Sequence, residues 1–456
     1  MRHVTRLLIV VLLVAVLSAC TRPKANLPDL TDAQLDERAR TFLRYMAEGE
    51  SENAVKMMES KMAKAMPAAR VIEMWQALVG QAGEFDRIAG TRYATEGGYR
   101  CVYVTCRFEN AALDAKVVFD ASGNVTGLWF SPSQAEAPSY NQPSYADTSA
   151  FTETECVVSS GQWQLPATLS MPKGNGPFPA VVLVHGSGAN DRDETVGPNK
   201  PFKDLAWGLA SRGIAVLRYE KRTKQYPVET AALMETFTVK EEVLEDALSA
   251  IALLRETEGV DPDRVYVLGH SLGAFLAPRI GVESSKVSGE SPVAGLIMMA
   301  PSARDLTTLI EEQVQYIASV DGNVDDAEAA EIARVKAELD KVRQGLLKAD
   351  EVVMGAAKAY WDDLAAYNPL EAAKSLKVPM LILQGERDYQ VTMEDFRLWK
   401  EALEGRDSVS LQSFPALNHL FIPGEGKSVP AEYQDPGNVD AAVIEAIATW
   451  LIEEES

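Results

Sequence analysis

The chain has 456 residues, of which 46% are hydrophobic, so it has room for two domains and enough apolar side chains for a real core. Disordered and fibrous classes of protein are therefore excluded. The formal net charge is −22, and removal of the two arginines within residues 1–19 would make it about −24. A surface of this sign repels phosphate backbones, so we expect no nucleic-acid partner.

The first segment has the pattern of a secretory signal. Arg2 and Arg6 precede an apolar run at 7–17, which is too short to span a bilayer as a helix and is typical of a signal-peptide core. The tripeptide Leu-Ser-Ala ahead of Cys20 resembles the bacterial lipoprotein box, in which the cysteine is lipidated and the preceding segment is removed. That resemblance implies a protein anchored by a lipid in the bacterial cell envelope, at the periplasmic face or the cell surface. An ordinary secretory signal, with a cysteine here by coincidence, stays open as the alternative.

Cysteine usage argues against a scaffold built on disulfides. Cys101, Cys106 and Cys156 would remain in the mature chain, so at most one disulfide can form. Cys101 and Cys106 lie in one β-like run at an odd offset, which places them on opposite faces of a strand. We expect two or three buried, inert thiols.

After a tether at 20–30, residues 31–130 predict a small α+β domain. Apolar residues recur at helical spacing from Thr31 to about Gly80, and later alternate as in strands. The predicted strands are 99–108, 112–119 and 125–130, with a hairpin turn at 120–124. The aromatic residues of this domain are interpreted as a core, with a ligand cavity as the alternative. Residues 131–150, rich in Pro, Ser, Gln and Tyr, are predicted to be a linker.

Residues 151–456 predict an α/β domain with a doubly wound, mostly parallel sheet. A strand pair comes first, followed by short apolar runs without alternation, which are typical of strands buried on both faces. The pair is 153–158 and 162–171, the buried runs are 180–184, 214–217, 265–268, 295–299 and 380–383, the last strand lies near 408–414, and helices lie near 201–211, 239–258, 272–281 and 439–451. Residues 302–377 are predicted to be mostly helical, and this interval is longer than the other connections between strands of the sheet. We interpret them as a helical cap over the strand ends, with a simple packing helix pair as the alternative.

The most informative motif is Gly269-His-Ser-Leu-Gly273, which directly follows a predicted strand and precedes a predicted helix. An abrupt strand-to-helix turn leaves the hydroxyl of Ser271 exposed on a strained elbow, and the backbone N–H of Leu272 can then stabilise an oxyanion. A second N–H donor is expected from the glycine-rich loop 184–188. We assign it to Ser187, with Gly186 as the alternative.

A serine nucleophile needs a base, and the chain has four histidines. His3 lies in the removable segment, His185 stands beside the glycine-rich loop, and His270 is part of the elbow, where its side chain is expected to point away from the serine hydroxyl. His419 remains, after the last predicted strand and before the last helix. This position agrees with the chain order of serine, acid and histidine found in such sites.

The acid is expected at the end of a strand between Ser271 and His419, where it holds the imidazole in its useful tautomer. The segment 380–388 ends a buried strand with a glycine turn and two carboxylates. We assign the role to Asp388, with Glu386 as the alternative.

These pieces, in this order, give residues 150–456 a resemblance to the α/β-hydrolase superfamily, near its dienelactone-hydrolase and acyl-thioesterase branch. Residues 185–193 and 197–222 are similar to the corresponding segments of EstD-type bacterial carboxylesterases, which carry a domain of unknown function like residues 31–130 ahead of the hydrolase. The resemblance implies a carboxylic-ester hydrolase that acts on short- to medium-chain acyl esters, a small-molecule substrate, without a cofactor. The family triad maps onto Ser271, Asp388 and His419.

No metal site is predicted, because the three mature histidines and scattered thiols form no cluster at zinc spacing. No Gly-rich phosphate loop followed by a lysine occurs. Tyr219, Arg222 and Asp191 follow strand ends near the expected pocket, where they either shape the substrate site or support the loops.

Three other functions stay open. An acyl thioesterase or a deacetylase of envelope polysaccharide would use the same triad. A peptidase of the prolyl-oligopeptidase type would need a propeller domain, for which about 130 residues ahead of the hydrolase are too few. A binding lipoprotein with a catalytically dead hydrolase fold is the alternative from another class. The sequence does not indicate the oligomeric state.

Overall fold

The protein is described by a computed structural model that covers residues 30–453, except 97–98, 110, 134–139, 287–292, 321 and 350. The predicted signal peptide, the predicted lipidation site at Cys20 and nearly all of the predicted tether therefore lie outside the described residues. The chain divides into two compact units. The described residues up to 133, together with Tyr226–Ala232, form the first unit, and those at 140–225 and 233–453 form the second.

The first unit packs four helices on one face of a four-stranded antiparallel sheet. Its first helix begins at a capping box, in which Thr31 and Gln34 satisfy backbone N–H groups of the first turn. The amphipathic helices and the sheet bury a common apolar core that includes Phe42 and Phe119. The helices are α1 Asp32–Ala47, α2 Ser51–Lys56, α3 Ser60–Ala65 and α4 Ala68–Ala82, and the strands, in sheet order, are β1 Phe85–Glu96, β2 Tyr99–Phe108, β3 Ala112–Phe119 and β4 Val125–Pro132.

Strand β1 was not expected from the sequence. Two register shifts interrupt its pairing with β2, one between Phe85 and Arg87 and one between Ile88 and Gly90. Each shift breaks the two-residue alternation by which a strand is recognised. The three predicted strands are present, and the expected turn is closed by the N–H groups of Ser122 and Asn124, which donate to the carboxylate of Asp120.

The second unit is built on an eight-stranded sheet whose five strand pairs at the centre and one edge are parallel. The prediction of a mostly parallel α/β sheet is therefore confirmed, with two antiparallel strand pairs toward the opposite edge. The strands are β5 Phe151–Ser160, β6 Trp163–Pro172, β7 Phe178–Val184, β8 Ala215–Tyr219, β9 Val260–His270, β10 Leu296–Met299, β13 Met380–Gly385 and β14 Val409–Phe414, in the spatial order β14-β13-β10-β9-β7-β8-β6-β5.

Helices flank this sheet, and the central strands are buried throughout. Phe202, from a helix early in the sequence of the unit, and Ile444, from its last helix, pack with Leu183 and Leu383 of the sheet in one large core. The helices are α5 Pro201–Ala210, α6 Arg222–Gln225, α8 Glu245–Arg255, α9 Leu272–Ser284, α10 Leu306–Ala318, α11 Asp326–Arg343, α12 Lys358–Ala365, α13 Pro369–Ser375, α14 Met393–Ala402 and α15 Ala441–Glu453, while α7 Pro227–Ala232 belongs to the first unit. A π-helical turn at Lys240–Leu244 precedes α8, in a stretch predicted as one continuous helix.

The predicted insertion at 302–377 is largely helical, as expected, and contains α10 to α13. It also holds a two-stranded hairpin that was not expected, β11 Val352–Val353 and β12 Ala356–Ala357. The hairpin strands are only two residues long, so they offer no alternating pattern for recognition.

The structure corrects the predicted linker at 131–150 at both ends. Strand β4 continues to Pro132, so the first domain does not end at 130. On the other side, the hydroxyl of Tyr145 donates to the carbonyl of Val439, and the Tyr145 ring packs on the core of the second unit. The end of this segment is therefore a folded part of the second unit, because Tyr145 has its hydrogen-bond partner and its packing contacts there.

All three described cysteines are free thiols, and none is fully exposed. Cys101 and Cys106 contribute to two different apolar clusters, as expected for opposite faces of one strand. Burial raises the pKa of Cys101 to about 11 and that of Cys106 to about 12, which keeps both protonated and inert. Within the described part of the chain, no helix has the length and apolar character needed to cross a membrane.

Candidate active site

Ser271 stands at a sharp turn between β9 and α9. Its backbone angles are φ 53° and ψ −115°, a strained conformation for a residue with a side chain. Its N–H donates to the carbonyl of Met299 on the neighbouring strand β10 over 2.9 Å, which fixes the turn to the sheet. Helix α9 begins at Leu272, so the N–H of Leu272 is in the first turn and has no partner within the helix. This is the geometry predicted for a nucleophile elbow.

The two glycines of the elbow motif are required by close backbone contacts. A Cβ on Gly273 would lie 2.1 Å from the carbonyl oxygen of Val184, and one on Gly269 would lie 2.3 Å from the backbone of Gly273. A side chain at Gly273 would force helix α9 away from strand β7, and one at Gly269 would force the helix away from strand β9. The glycines therefore allow the elbow to sit against the loop that follows Val184.

His419 and Asp388 are brought together as the sequence predicted. His419 Nδ1 and Asp388 Oδ2 are 2.6 Å apart, and both residues are about 5% exposed. The other carboxylate oxygen of Asp388 accepts the N–H groups of Gln390 and Val391, which anchors the acid on its loop. Because Nδ1 is engaged with Asp388, only Nε2 of the imidazole is available for proton transfer.

Glu386, the alternative acid, has a different environment. Its side chain is exposed and accepts the hydroxyl of Ser413. Gly385 precedes it, and a Cβ on that glycine would lie 2.5 Å from the carbonyl oxygen of Leu417. This close approach brings the acid loop against the histidine loop, where Asp388 and not Glu386 meets His419.

Ser271 is connected to His419 through its neighbour in the sequence. The ring of His270 lies 4.8 Å from the ring of His419, and its Nε2 is 2.9 Å from the carbonyl oxygen of His419. On its other side, His270 Nδ1 lies 2.9 Å from Oε2 of Glu194. The side chain of His270 therefore joins the elbow to the histidine loop.

The two buried groups of this contact have shifted pKa values. Burial acts to lower the pKa of His270, but the charge and hydrogen bond of Glu194 and the carbonyl of His419 outweigh it, so the pKa is raised. Burial acts to raise the pKa of Glu194, but His270 and the N–H of Gly186 outweigh it, so that pKa is lowered. Both shifts favour the charged forms, and hence an ion pair beneath the site.

The glycine-rich loop after β7 lies against Ser271. A Cβ on Gly186 would be 3.2 Å from Cβ of Ser271, so only a glycine leaves this contact unstrained. The N–H of Gly186 donates to Oε1 of Glu194 over 2.6 Å. Since that N–H is occupied, the structure favours Ser187 over Gly186 for the predicted second oxyanion donor, and the role itself stays a prediction.

His185, at the start of this loop, packs inside the unit. Its ring lies 5.0 Å from that of Phe202 and 5.2 Å from that of Tyr219. Burial is the main cause that lowers the pKa of His185 to about 4, so the imidazole is neutral at physiological pH. A neutral, enclosed ring of this kind is part of the core rather than a proton carrier.

The three residues considered for substrate shaping have structural contacts. Arg222 is buried, pairs with Asp246 and stacks on the ring of Trp163. The carboxylate of Asp191 accepts backbone N–H groups of its own loop, and Tyr219 packs on His185. Of the two interpretations, these contacts favour support of the loops.

The helical insertion packs on the loops that carry Asp388 and His419. The ring of Tyr316, from α10, stacks on that of Tyr389 at 5.0 Å, and Gln313 donates to the carbonyl of Gln390. Leu420, next to His419, belongs to the same apolar cluster as the two tyrosines. Helix α10 of the insertion therefore packs on the acid and histidine loops, and a cap over the strand ends stays a prediction.

Two residues that contact the glycine-rich loop were missed from the sequence, Glu194 and Lys221. Both are buried ionisable side chains, at 3% and 2% exposure, and Glu194 has a positive φ of 51°. The available signal was position, since each follows the carboxyl end of a strand of a parallel sheet. Among the described residues, no group of three or more His, Cys, Asp or Glu side chains is arranged to hold a metal ion.

Comparison with known proteins gives two family matches along the chain. Residues 181–432 match the alpha/beta hydrolase family, and residues 39–128 match a family described as a protein of unknown function, DUF3887. The sequence is 41% identical to a protein named Esterase EstD from Thermotoga maritima, over 92% of this chain and 95% of that protein.

Solved structures similar to this chain include two archaeal esterases. A hyperthermophilic esterase from Pyrobaculum calidifontis has 16% sequence identity and a TM-score of 0.43, with 71% of this chain and 88% of that chain covered. An esterase from Pyrococcus furiosus also has 16% identity, with a TM-score of 0.42 and coverage of 70% and 98%.

Proposed function

The chain belongs to the alpha/beta hydrolase family, and from this membership we propose that it is a serine carboxylesterase that acts on short- to medium-chain acyl esters. The observation that carries the proposal is the 2.6 Å contact between His419 and Asp388 beside the strained elbow at Ser271. A relative with esterase in its name, matched over 92% of this chain, supports the class of substrate.

The first half of the proposed reaction acylates the enzyme. Ser271 Oγ attacks the acyl carbonyl carbon while Nε2 of His419 accepts the hydroxyl proton. The negative charge that develops on the carbonyl oxygen is stabilised by the N–H groups of Leu272 and Ser187. The tetrahedral intermediate collapses, the C–O bond to the alcohol breaks, and His419 returns the proton to the leaving alkoxide.

The second half hydrolyses the acyl-enzyme. Water attacks the acyl carbon while His419 accepts one of its protons, and the Ser271 Oγ leaves as this proton is returned to it. Asp388 holds the imidazole with Nδ1 toward the carboxylate and stabilises the imidazolium that forms in each half. The ion pair of Glu194 and His270 positions the elbow and the histidine loop and takes no proton from the substrate.

Turnover of p-nitrophenyl butyrate by Ser271→Ala and Ser302→Ala tests the proposal. Ser302 is also a buried serine in a loop after a strand, but that strand is β10 and the loop is not the elbow, so Ser302 is a matched control. We expect Ser271→Ala to lower kcat by about 10⁴-fold or more and Ser302→Ala to leave it within about twofold. Near-normal turnover in Ser271→Ala would refute the mechanism.

We also propose that the mature protein is anchored through a lipid on Cys20, in the bacterial cell envelope. The support is the sequence, in which a short apolar run and small residues precede Cys20. Metabolic labelling with an alkyne-tagged fatty acid is expected to mark the full-length protein and not Cys20→Ser. Equal labelling of both proteins would place the lipid elsewhere and contradict the anchor.

A further inference from the structure

The carbonyl group of Gly186 is held by a buried cation. Lys221 Nζ donates to Gly186 O over 2.7 Å, and Asn190 Nδ2 approaches the same oxygen at 3.2 Å. Lys221 is only 2% exposed, although a lysine side chain is normally solvated. A buried ammonium aimed at a backbone carbonyl beside the nucleophile calls for a physical explanation.

The explanation follows from the geometry of a peptide bond. Gly186 O and Ser187 N–H belong to one planar trans peptide, so they point in opposite directions. A donor fixed on the carbonyl side therefore fixes the direction of the N–H of Ser187. That N–H is the one assigned to the oxyanion, because the N–H of Gly186 is taken by Glu194.

The charge of Lys221 also strengthens the N–H of Ser187 as a donor. A hydrogen bond to the carbonyl polarises the peptide and increases the partial positive charge on the N–H at its other end. In a buried site of low dielectric, this effect on a developing oxyanion is larger than it would be in water.

Lys221 is itself held in place by the buried carboxylate of Glu242, which in turn contacts the half-buried Tyr360. Its Nζ lies 2.6 Å from Oε1 of Glu242, and the other oxygen of Glu242 accepts the hydroxyl of Tyr360 over 2.7 Å. Glu242 lies in the π-helical turn at Lys240–Leu244, a kind of irregularity that often marks functional sites. The carboxylate compensates the buried ammonium, and Tyr360 connects the pair to helix α12 of the insertion.

We propose that Lys221 is a positioning residue of the oxyanion hole. Through the carbonyl of Gly186, Lys221 orients and polarises the Gly186–Ser187 peptide. The inference rests on the proposed function, since it assumes that Ser187 N–H receives the oxyanion. It predicts that loss of Lys221 weakens binding of the transition state more than binding of the substrate.

Arg222 provides a matched control for a role that is only structural. It follows Lys221 directly, is 1% exposed and pairs with the buried carboxylate of Asp246. Its contacts are with Asp246, Glu245, Ser160 and Trp163, away from the glycine-rich loop. Replacing Arg222 and Asp246 removes a buried ion pair and leaves the hydrogen bonds to the carbonyl of Gly186 in place.

The experiment compares two double variants, Lys221→Met/Glu242→Gln and Arg222→Met/Asp246→Asn, in which no buried charge is left unpaired. Each is assayed with p-nitrophenyl butyrate for kcat and KM, and with an alkyl trifluoromethyl ketone, whose adduct with the serine carries an oxyanion, for the inhibition constant. Circular dichroism and thermal melting establish that each variant is folded.

For Lys221→Met/Glu242→Gln we expect kcat to fall about 10- to 100-fold, while KM stays within about threefold of the wild-type value. The affinity for the inhibitor should fall by a similar factor. These losses are somewhat smaller than the loss caused by removing an oxyanion donor itself. Arg222→Met/Asp246→Asn is expected to keep kcat within about twofold, even if its melting temperature drops. Unchanged kcat and inhibitor affinity in the folded Lys221 variant would overturn the inference, as would equal losses in the control pair.

Ser271→Ala distinguishes failure of this inference from failure of the proposed function. If Ser271→Ala is inactive while the Lys221 variant is fully active, only the role of Lys221 is lost. If Ser271→Ala retains activity, the proposed function fails and the inference fails with it.

Discussion

Asp388 shows how one carboxylate defines the chemistry of a neighbouring imidazole. One oxygen accepts two backbone N–H groups of its own loop, and the other meets His419 Nδ1. Because the carboxylate accepts, Nδ1 of His419 must donate, and this selects the tautomer in which Nε2 can accept the serine proton in the proposed mechanism.

The role of Asp388 can be tested by an isosteric change. Asp388→Asn keeps an oxygen for the two backbone N–H groups but places an NH₂ donor toward His419, which forces the imidazole into the wrong tautomer. We expect kcat to fall by about 10⁴-fold with little change in stability. Glu386→Gln, on the same loop, is the control and should retain activity within about twofold, because its side chain is exposed. Equal activity of Asp388→Asn and the wild type would rule out the assigned acid.

At this scale, the residues that could be predicted from the sequence are those identified by a local motif or by elimination. Ser271 is marked by its glycines, and His419 is the histidine left after three others were excluded. Glu194 and Lys221 were not predicted, because their roles depend on contacts with Gly186 across 8 and 35 positions of sequence. The periodicity and spacing of the residues do not predict such a contact.

At the scale of elements, helix α5 shows how a buried side chain ties distant segments together. Asp204 of α5 accepts the hydroxyl of Tyr140 over 2.7 Å and the N–H of Val439 over 2.9 Å. Burial raises the pKa of Asp204 to about 6, although these hydrogen bonds oppose the shift. The residue therefore makes stability depend on pH.

The sign of that dependence follows from proton binding. An unfolded aspartate titrates near pH 3.9, so between about pH 4 and pH 6 the folded chain binds more protons at Asp204 than the unfolded chain does. Its contribution to the free energy of unfolding is present at low pH and is lost as pH rises through 6, by at most about 3 kcal/mol.

Urea unfolding at pH 4.5 and pH 7.5 measures this contribution. In Asp204→Asn the group that titrates is gone, so the drop in the free energy of unfolding between the two pH values should be smaller than in the wild type. Other titrating groups are common to both proteins and cancel in the comparison. An identical change with pH in both proteins would show that Asp204 does not titrate in this range.

The elements that the sequence predicted are those with an unbroken pattern. The buried runs at β7, β9 and β13 are continuous and apolar, and they were assigned correctly as parallel strands. Strand β1 was missed because two register shifts break its alternation. The π-helical turn before α8 was also missed, since its five residues have the composition of an ordinary amphipathic helix.

At the scale of the whole molecule, the described residues of each unit form a large apolar core of their own. The core of the first unit and the large core of the second share no residue. The sequence predicted this division, because helices followed by antiparallel strands give way to alternating strands and helices. The exact boundary could not be predicted, because it depends on Tyr140 and Tyr145, whose partners lie far away in sequence.

Because each unit has a core of its own, we expect residues 140–456, which include Tyr226–Ala232 of the first unit, to fold without residues 30–133. We expect a fragment of residues 140–456 to unfold cooperatively and to retain kcat for p-nitrophenyl butyrate within about threefold, because every residue assigned to the reaction lies in it. The matched control is a fragment of residues 30–133, which should fold and show no hydrolysis. Circular dichroism and the ester assay check both. An unfolded or inactive hydrolase fragment would show that the catalytic unit depends on the first unit.

The central claim is that Ser271 is the nucleophile, and covalent labelling tests it most directly. The tryptic peptide at 265–279 contains Ser271 as its single serine, so mass spectrometry can locate an adduct without ambiguity. After reaction with a fluorophosphonate, we expect one adduct per chain on this peptide, formed in parallel with loss of esterase activity and absent in Ser271→Ala. An adduct on another peptide, or full inactivation without modification of peptide 265–279, would contradict the account.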